Sequence, residues 1–445
     1  MTYRQAVKYL ESFTDYEKIS VYSYKGSLQL ERVKKFLRAL GCPQEGLNVI
    51  HVAGSKGKGS VCAFCAYILR EAGFSVGLYT SPHLSDFRER IRVLSPHSAN
   101  KKDAFDGLIP KAALARLTLN LARGVKNYER SAKRGEQLSF FEVYTALAFL
   151  YFKEMRVDFV VLETGLGGRL DATNTASSLV CAITPISFEH TQKLGKTLAA
   201  IAAEKAGIIK EKRSIVLTAR QDKEAKQVFR DKCLKTGARL YEIGKDIKYS
   251  GRLNAFSVST LRRKYDHLRI KLLGRHQLAN AALAVGAIEA LGAFGFKIGQ
   301  AAFRKGLNAA LWPGRCEVIS RRPLVVLDGA QNLASAKALK EAVKDNFKFR
   351  KIVLILGVSN DKDIQGIANQ LRPLAREVIL TAAHNPRAVN PAKLAGYFSG
   401  TGKACQVHIT GSVQEAKAMA FKIAGRDDLI LVTGSLFVVG EFRDV

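Results

Sequence analysis

The chain has 445 residues, 47% of them hydrophobic and 24% charged, and its 70 Lys and Arg outnumber 39 Asp and Glu for a formal charge of +31. This balance excludes a disordered chain, and the length suggests two or three domains. The longest apolar runs, near 61–69 and 146–152, fall short of the roughly 18 residues that cross a bilayer, so no membrane-spanning protein is expected.

The N-terminal stretch MTYRQAVKYLESF carries Glu11 and aromatic residues where a secretory signal would be continuously apolar, which points to the cytoplasm. Short β-branched runs then alternate with amphipathic segments. LNVIHVA precedes a helix to about Gly73; VGLYT follows; a helix over 140–154 leads into DFVVLET, and VCAIT and SIVLT come next. Such alternation predicts parallel strands joined by crossover helices. Residues 95–115 read as an exposed insertion, and 97–137, with nine Lys/Arg against four Asp/Glu, as a solvated basic face. Period-two alternation over 250–273 reads as a hairpin appended to the sheet. Helices are expected over 277–291 and 298–307.

Trp312-Pro313-Gly314 interrupts the series, and a second one begins with LVVLD, KIVLILG, EVILTAA, CQVHIT and DLILVTG. A domain boundary near residue 310 is expected, dividing 1–310 from 311–445. The seven cysteines are scattered and odd in number, as in a chain with reduced thiols. Cys62 and Cys65 form a CxxC, but it lies in an apolar helical segment without a second ligand pair at zinc spacing, which favours packing over metal. The basic charge would suit nucleic acid or small polyanions. No zinc-finger, RNP or heptad pattern supports a nucleic-acid module.

Gly54-Ser55-Lys56-Gly57-Lys58-Gly59-Ser60 follows the strand VIHVA and opens a helix. Backbone N–H groups of a glycine-rich turn, a helix N-terminus and a lysine together cradle a triphosphate. The spacing departs from GxxxxGK[ST], since Val52 replaces its first glycine and Gly59 separates Lys58 from Ser60. An ATP-phosphate site calls for magnesium and a hard carboxylate ligand, and Glu163, ending the strand DFVVLE, is placed for it at the sheet's C-terminal edge. His190 and Ser81 follow other strands into the same crevice.

These segments, together with RERIRV, LSFFEVYTALAF, VLETGLGGRLDATN, ITPISFEHTQKLG, IAAEKAGIIK, GRHQLANAALA, WPGRCEVI, LDGAQN, GVSNDKD and VTGSLFVVGE in this order, resemble the folylpolyglutamate synthase and dihydrofolate synthase family of the Mur ligase superfamily. The resemblance spans nearly the whole chain. It implies an α/β protein, with a P-loop-type Mur ligase central domain built on a mainly parallel sheet and a smaller Rossmann-like C-terminal α/β domain. It also implies a ligase that joins L-glutamate to dihydropteroate or reduced folates, consuming ATP through an acyl phosphate. By the same resemblance Gly54, Gly57, Lys58, Gly59 and Ser60 hold phosphates, and Ser81, Glu163 and His190 organise two magnesium ions. Lys205 matches a carbamylated lysine, Asn280 an adenine contact, Arg315 a phosphate contact and Asp328 a ribose contact. Phe141 and Asp171 match a pteridine surface, and Gln331 and Ser435 positions for the incoming glutamate.

The sequence departs from the family pattern at Gln331, where histidine is usual, at Leu333, at Lys56, at Glu189 and at Glu211-Lys212-Arg213. The expected partners are small molecules, with a monomer as the working unit. Narrower or different readings are a folylpolyglutamate synthase without dihydropteroate activity, another Mur-type amino-acid ligase, and a basic P-loop ATPase that binds nucleic acid.

Overall fold

A computed structural model describes residues 1–445 except 20, 21, 102, 133, 134, 399–404 and 445. Its first sheet holds seven strands: β1 (Val49–Ala53), β2 (Val76–Tyr79), β3 (Ile91–Leu94), β4 (Phe159–Glu163), β5 (Ser178–Ile183), β6 (Ile215–Thr218) and β7 (Arg239–Glu242). They lie in the order β3-β2-β4-β1-β5-β6-β7, parallel throughout except for β3 against β2. Two-sided burial explains the unbroken apolar runs. Ile50, Val52, Val161 and Ala182 pack to one side with the helix Lys58–Glu71, while Val49, Val160 and Leu162 pack to the other with the helix Phe140–Glu154. Each fully buried Val, Ile or Leu contributes roughly 1.5–3 kcal/mol.

The period-two region is not an addition to this sheet. β8 (Lys248–Arg252), β9 (Ala255–Ser259) and β10 (Lys264–Leu268) form a separate antiparallel sheet. Its apolar side, Phe256, Val258, Tyr265 and Leu268, packs into the core shared with the helix His276–Ala290. Nor is 95–115 wholly exposed. Asp106, Ile109 and Leu114 are buried, and Val93 donates its N–H to the Gly107 carbonyl. The basic stretch that follows is the helix Lys111–Glu129, whose Leu114, Leu117, Leu121, Val125 and Tyr128 are buried at helical spacing; Lys102, Lys133 and Arg134 fall outside the described residues.

The third sheet comprises β11 (Glu317–Arg321), β12 (Leu324–Leu327), β13 (Ile352–Leu356), β14 (Glu377–Leu380), β15 (Gln406–Ile409) and β16 (Leu429–Thr433), in the order β11-β12-β16-β13-β14-β15. Here too only the edge strand β11 runs antiparallel. Neither antiparallel edge was legible beforehand, since short strands in polar surroundings carry little periodicity. The helix expected over 277–291 is present, and with the turn after it His276–Phe294 is long and apolar enough to cross a membrane, which the runs near 61–69 and 146–152 are not; it is mostly buried within the protein. It is the core helix against which the helix Lys58–Glu71 packs.

Candidate active site

The register of the central strands sets the site. Val52 pairs with Glu163, and Ala53 with Ile183, so β1, β4 and β5 end at one level and their following loops share one edge. The Gly54–Ser60 loop emerges there. Gly57 caps the helix Lys58–Glu71 at φ 86, a left-handed backbone that favours glycine. A Cβ at Gly57 would lie 2.6 Å from Oδ1 of Asn280. The Asn280 amide in turn donates to Gln277 at 2.9 Å, and Gln277 to the Ser60 hydroxyl at 3.3 Å. Asn280 therefore stands against the phosphate loop itself.

Around this loop the charges are dense. Lys58 Nζ donates to the Gly54 carbonyl at 3.2 Å and lies 4.0 Å from Glu163. Glu163 is buried, and among the described residues it accepts one hydrogen bond, from the Ser81 N–H at 3.4 Å. Desolvation raises its pKa against the pull of Lys58, the Ser81 N–H and Arg315. Lys205, buried at the end of the helix Leu198–Ala206, donates to the Gly54 carbonyl at 2.8 Å and to Glu189 at 3.0 Å. Burial pulls its pKa down to about 8. Glu189 also accepts from Lys56 at 3.2 Å, and although burial opposes it, Lys205, Lys58 and Lys56 hold its carboxyl down at about 2. Two departures from the family pattern, Lys56 and Glu189, are thus each other's ion-pair partners.

His190 follows at φ 47, a strained backbone for a non-glycine residue. Surrounding protein and Lys362, Lys205 and Lys193 bring its pKa to about 4 against the opposing charge of Glu189, leaving a neutral imidazole. Lys362, in the GVSNDKD segment, also lowers the pKa of Lys56. The sequence reading gave that segment no role; its lysine is brought in from the third sheet's side only by the fold.

Phe141 and Asp171 come together at a second corner. Ser139 caps the helix Phe140–Glu154 in a capping box with Glu142, and Arg32 binds Glu142 at 2.6 Å in a buried pair, fixing the helix start that carries Phe141. The Phe141 ring abuts Gly165, where no Cβ could be placed, and the Gly165 N–H donates to Asp171 at 2.9 Å. Asp171 accepts as well from the N–H groups of Leu166 and Thr173 and from the Thr173 hydroxyl. Its carboxylate therefore ties the 164–171 loop together, and a ligand donor would have to share it.

From the third sheet, Arg315 reaches the same edge. Arg315, Trp312, Ser81, Gly59 and Glu163 line one cavity between the two parallel sheets. Asp328 directly follows β12 and accepts from the Cys316 N–H at 2.8 Å; burial raises its pKa and Arg315 opposes the rise. Gln331 and Ser435 stand after the neighbouring strands β12 and β16, whose loops are joined by the Gly434 N–H to the Ala330 carbonyl at 3.0 Å. Cys62 and Cys65 are both buried in the core.

Residues 122–288 match the Mur ligase middle domain, and residues 314–436 the Mur ligase glutamate ligase domain. The "Dihydrofolate synthase/folylpolyglutamate synthase" of Bacillus subtilis is 34% identical over 93% of this chain and 94% of its own length. The "Probable bifunctional folylpolyglutamate synthase/dihydropteroate synthase" of Haloferax volcanii is 38% identical over 93% of this chain, which spans only 48% of that relative. Among solved structures, the E. coli FolC in complex with DHPP and ADP superposes with a TM-score of 0.85 at 29% identity, covering 100% of this chain and 97% of that one.

Proposed function

Because the chain belongs to the dihydrofolate synthase/folylpolyglutamate synthase family of Mur ligases, and is on that account an ATP-dependent ligase, we propose that it adds L-glutamate to dihydropteroate and to reduced folates. The observation that carries this reading is the single cavity where Glu163, Ser81 and Gly59 of the first sheet meet Arg315 from the third. Phosphoryl transfer needs cations fixed around the transferring group, and a carboxylate becomes a competent electrophile only once phosphate gives it a leaving group. In this reading the phosphate loop and Lys58 hold the triphosphate, with Asn280 on the base, Asp328 on the ribose and Arg315 on the phosphates. The acceptor carboxylate takes the γ-phosphate, the glutamate amine attacks the acyl carbon, and phosphate leaves. Gln331 and Ser435 orient the glutamate, and Phe141 and Asp171 hold the pteridine.

The residues fit magnesium. Glu163 is a buried carboxylate with one long N–H contact and a lysine 4.0 Å away, an under-compensated charge that a divalent ion relieves. Glu163, Ser81 and the neutral His190 would hold two such ions, which neutralise phosphate charge when bound. Lys205 fits carbamylation. Only its free amine bonds to CO2, releasing a proton, and a pKa near 8 keeps a useful fraction in that form. Lys56 and Lys58 stand by to balance the new negative charge.

We take 1–310 as the ATP-binding unit, 311–445 as the glutamate ligase unit, and one chain as the working unit. The free thiols of all seven cysteines fit a reducing cytoplasm. The test is glutamate-dependent ADP release with dihydropteroate and with tetrahydrofolate as separate acceptors, each product checked by mass for one added glutamate. Activity with both is expected. Tetrahydrofolate alone would reduce the reading to a folylpolyglutamate synthase, and product from neither would overturn it.

A further inference from the structure

Trp312 is the chain's single tryptophan, and it stands between two cavities. On one side is a solvent-open cleft of about 1830 Å³ between the three-stranded sheet and the third sheet, bordered by basic side chains such as Arg252, Lys271 and Arg322. On the other is the smaller cavity that holds Glu163 and Ser81. Among the described residues, Trp312, Pro313 and Arg315 alone line both. The partition rests on the phosphate loop: a Cβ at Gly59 would lie 2.8 Å from Cζ2 and Nε1 of the indole and 2.9 Å from Cε2. Gly59, unlike Gly54 and Gly57, has no positive φ. Its missing side chain is therefore a matter of room for the indole rather than of backbone conformation.

We propose that Trp312 is a positioning residue that seals the reaction cavity from the open cleft while holding the linker on the phosphate loop. This rests on the ligase reading, because the intermediate it protects is the acyl phosphate. Water reaching that intermediate adds its oxygen to the acyl carbon, the carbon–oxygen bond to phosphate breaks, and carboxylate, phosphate and a proton result. ATP is then spent without an amide. Excluding water from a reactive intermediate requires a fixed, bulky wall, and a flat indole against a bare glycine supplies one.

The test reads ADP and ligated product from the same reaction. The native enzyme should release one ADP per product. Trp312→Ala should release a several-fold excess of ADP over product, and Trp312→Phe should restore most of the coupling. Gly59→Ala, which pushes the indole off, should uncouple in the native background and add nothing to Trp312→Ala; it carries the test if Trp312→Ala fails to fold. Rates that fall while the ratio stays at one in both Trp312→Ala and Gly59→Ala would overturn the partition alone. A native enzyme that makes no product from either acceptor would sink the ligase reading first, and the partition with it.

Discussion

The two parallel sheets share a plan and differ in what they place at their strand ends. Each is doubly covered, with one antiparallel edge strand, and each opens its loops toward the common cavity. The first sheet crowds that edge with Lys56, Glu189 and Lys205 in one ion-paired chain and with Lys58 beside Glu163, the two groups meeting where Lys58 and Lys205 both donate to the Gly54 carbonyl. The third sheet offers Asp328, Gln331 and Ser435, held by backbone and hydroxyl contacts. In the proposed reaction the first sheet would carry most of the charge handling, with Arg315 added from the third, and the third would orient the amine, since moving a phosphoryl group demands fixed cations while placing an amine demands directional hydrogen bonds.

Breaking the charged side should have the largest effect. Lys58→Ala and Glu163→Ala should each lower turnover at least about 100-fold, because each removes stabilisation of a transferring charge. Near-native turnover in either variant, measured as ADP release with acceptor and glutamate present, would reject its role. Lys205→Ala should lose most activity and recover part of it with small carboxylates, which replace the carbamate's oxygens. Intact-mass and electron-density measurements on the active enzyme with magnesium should find the added CO2, and unmodified lysine there would defeat the carbamate. On the third sheet, Gln331→Ala should raise KM for glutamate by about five-fold, the worth of one hydrogen bond near 1 kcal/mol, and leave KM for ATP alone. A change in KM for ATP instead would erase the division of labour between the sheets.

Much of the site was legible because its parts are local. A glycine turn between a buried strand and a helix announces a phosphate loop, and a carboxylate ending a buried apolar strand announces an edge ligand. The resemblance supplied roles for Asn280, Lys205 and Gln331 that residue type alone could not. What stayed hidden depended on partners distant in sequence. Lys56 and Glu189 each looked like an isolated departure, yet they are 133 positions apart and bonded. Asp171, matched by resemblance to a pteridine surface, also holds its own loop together, a role that residue type does not announce. The 250–273 alternation gave the antiparallel pair β9–β10 but neither the third strand β8 nor the separate sheet, because period two fixes which faces are apolar and says nothing about which neighbour covers them.

The sequence by itself therefore determined the alternation of strands and helices, the phosphate loop and the break at Trp312, since these follow from periodicity and backbone chemistry within a few residues. Tertiary structure alone decided the antiparallel edges, the separate three-stranded sheet, the Lys56–Glu189–Lys205 network and the seat of Trp312 on Gly59. The network and the seat of Trp312 join residues far apart along the chain, which only tertiary packing brings within bonding or van der Waals distance. The edges and the small sheet pair strands near in sequence, and packing decides their direction and what covers them.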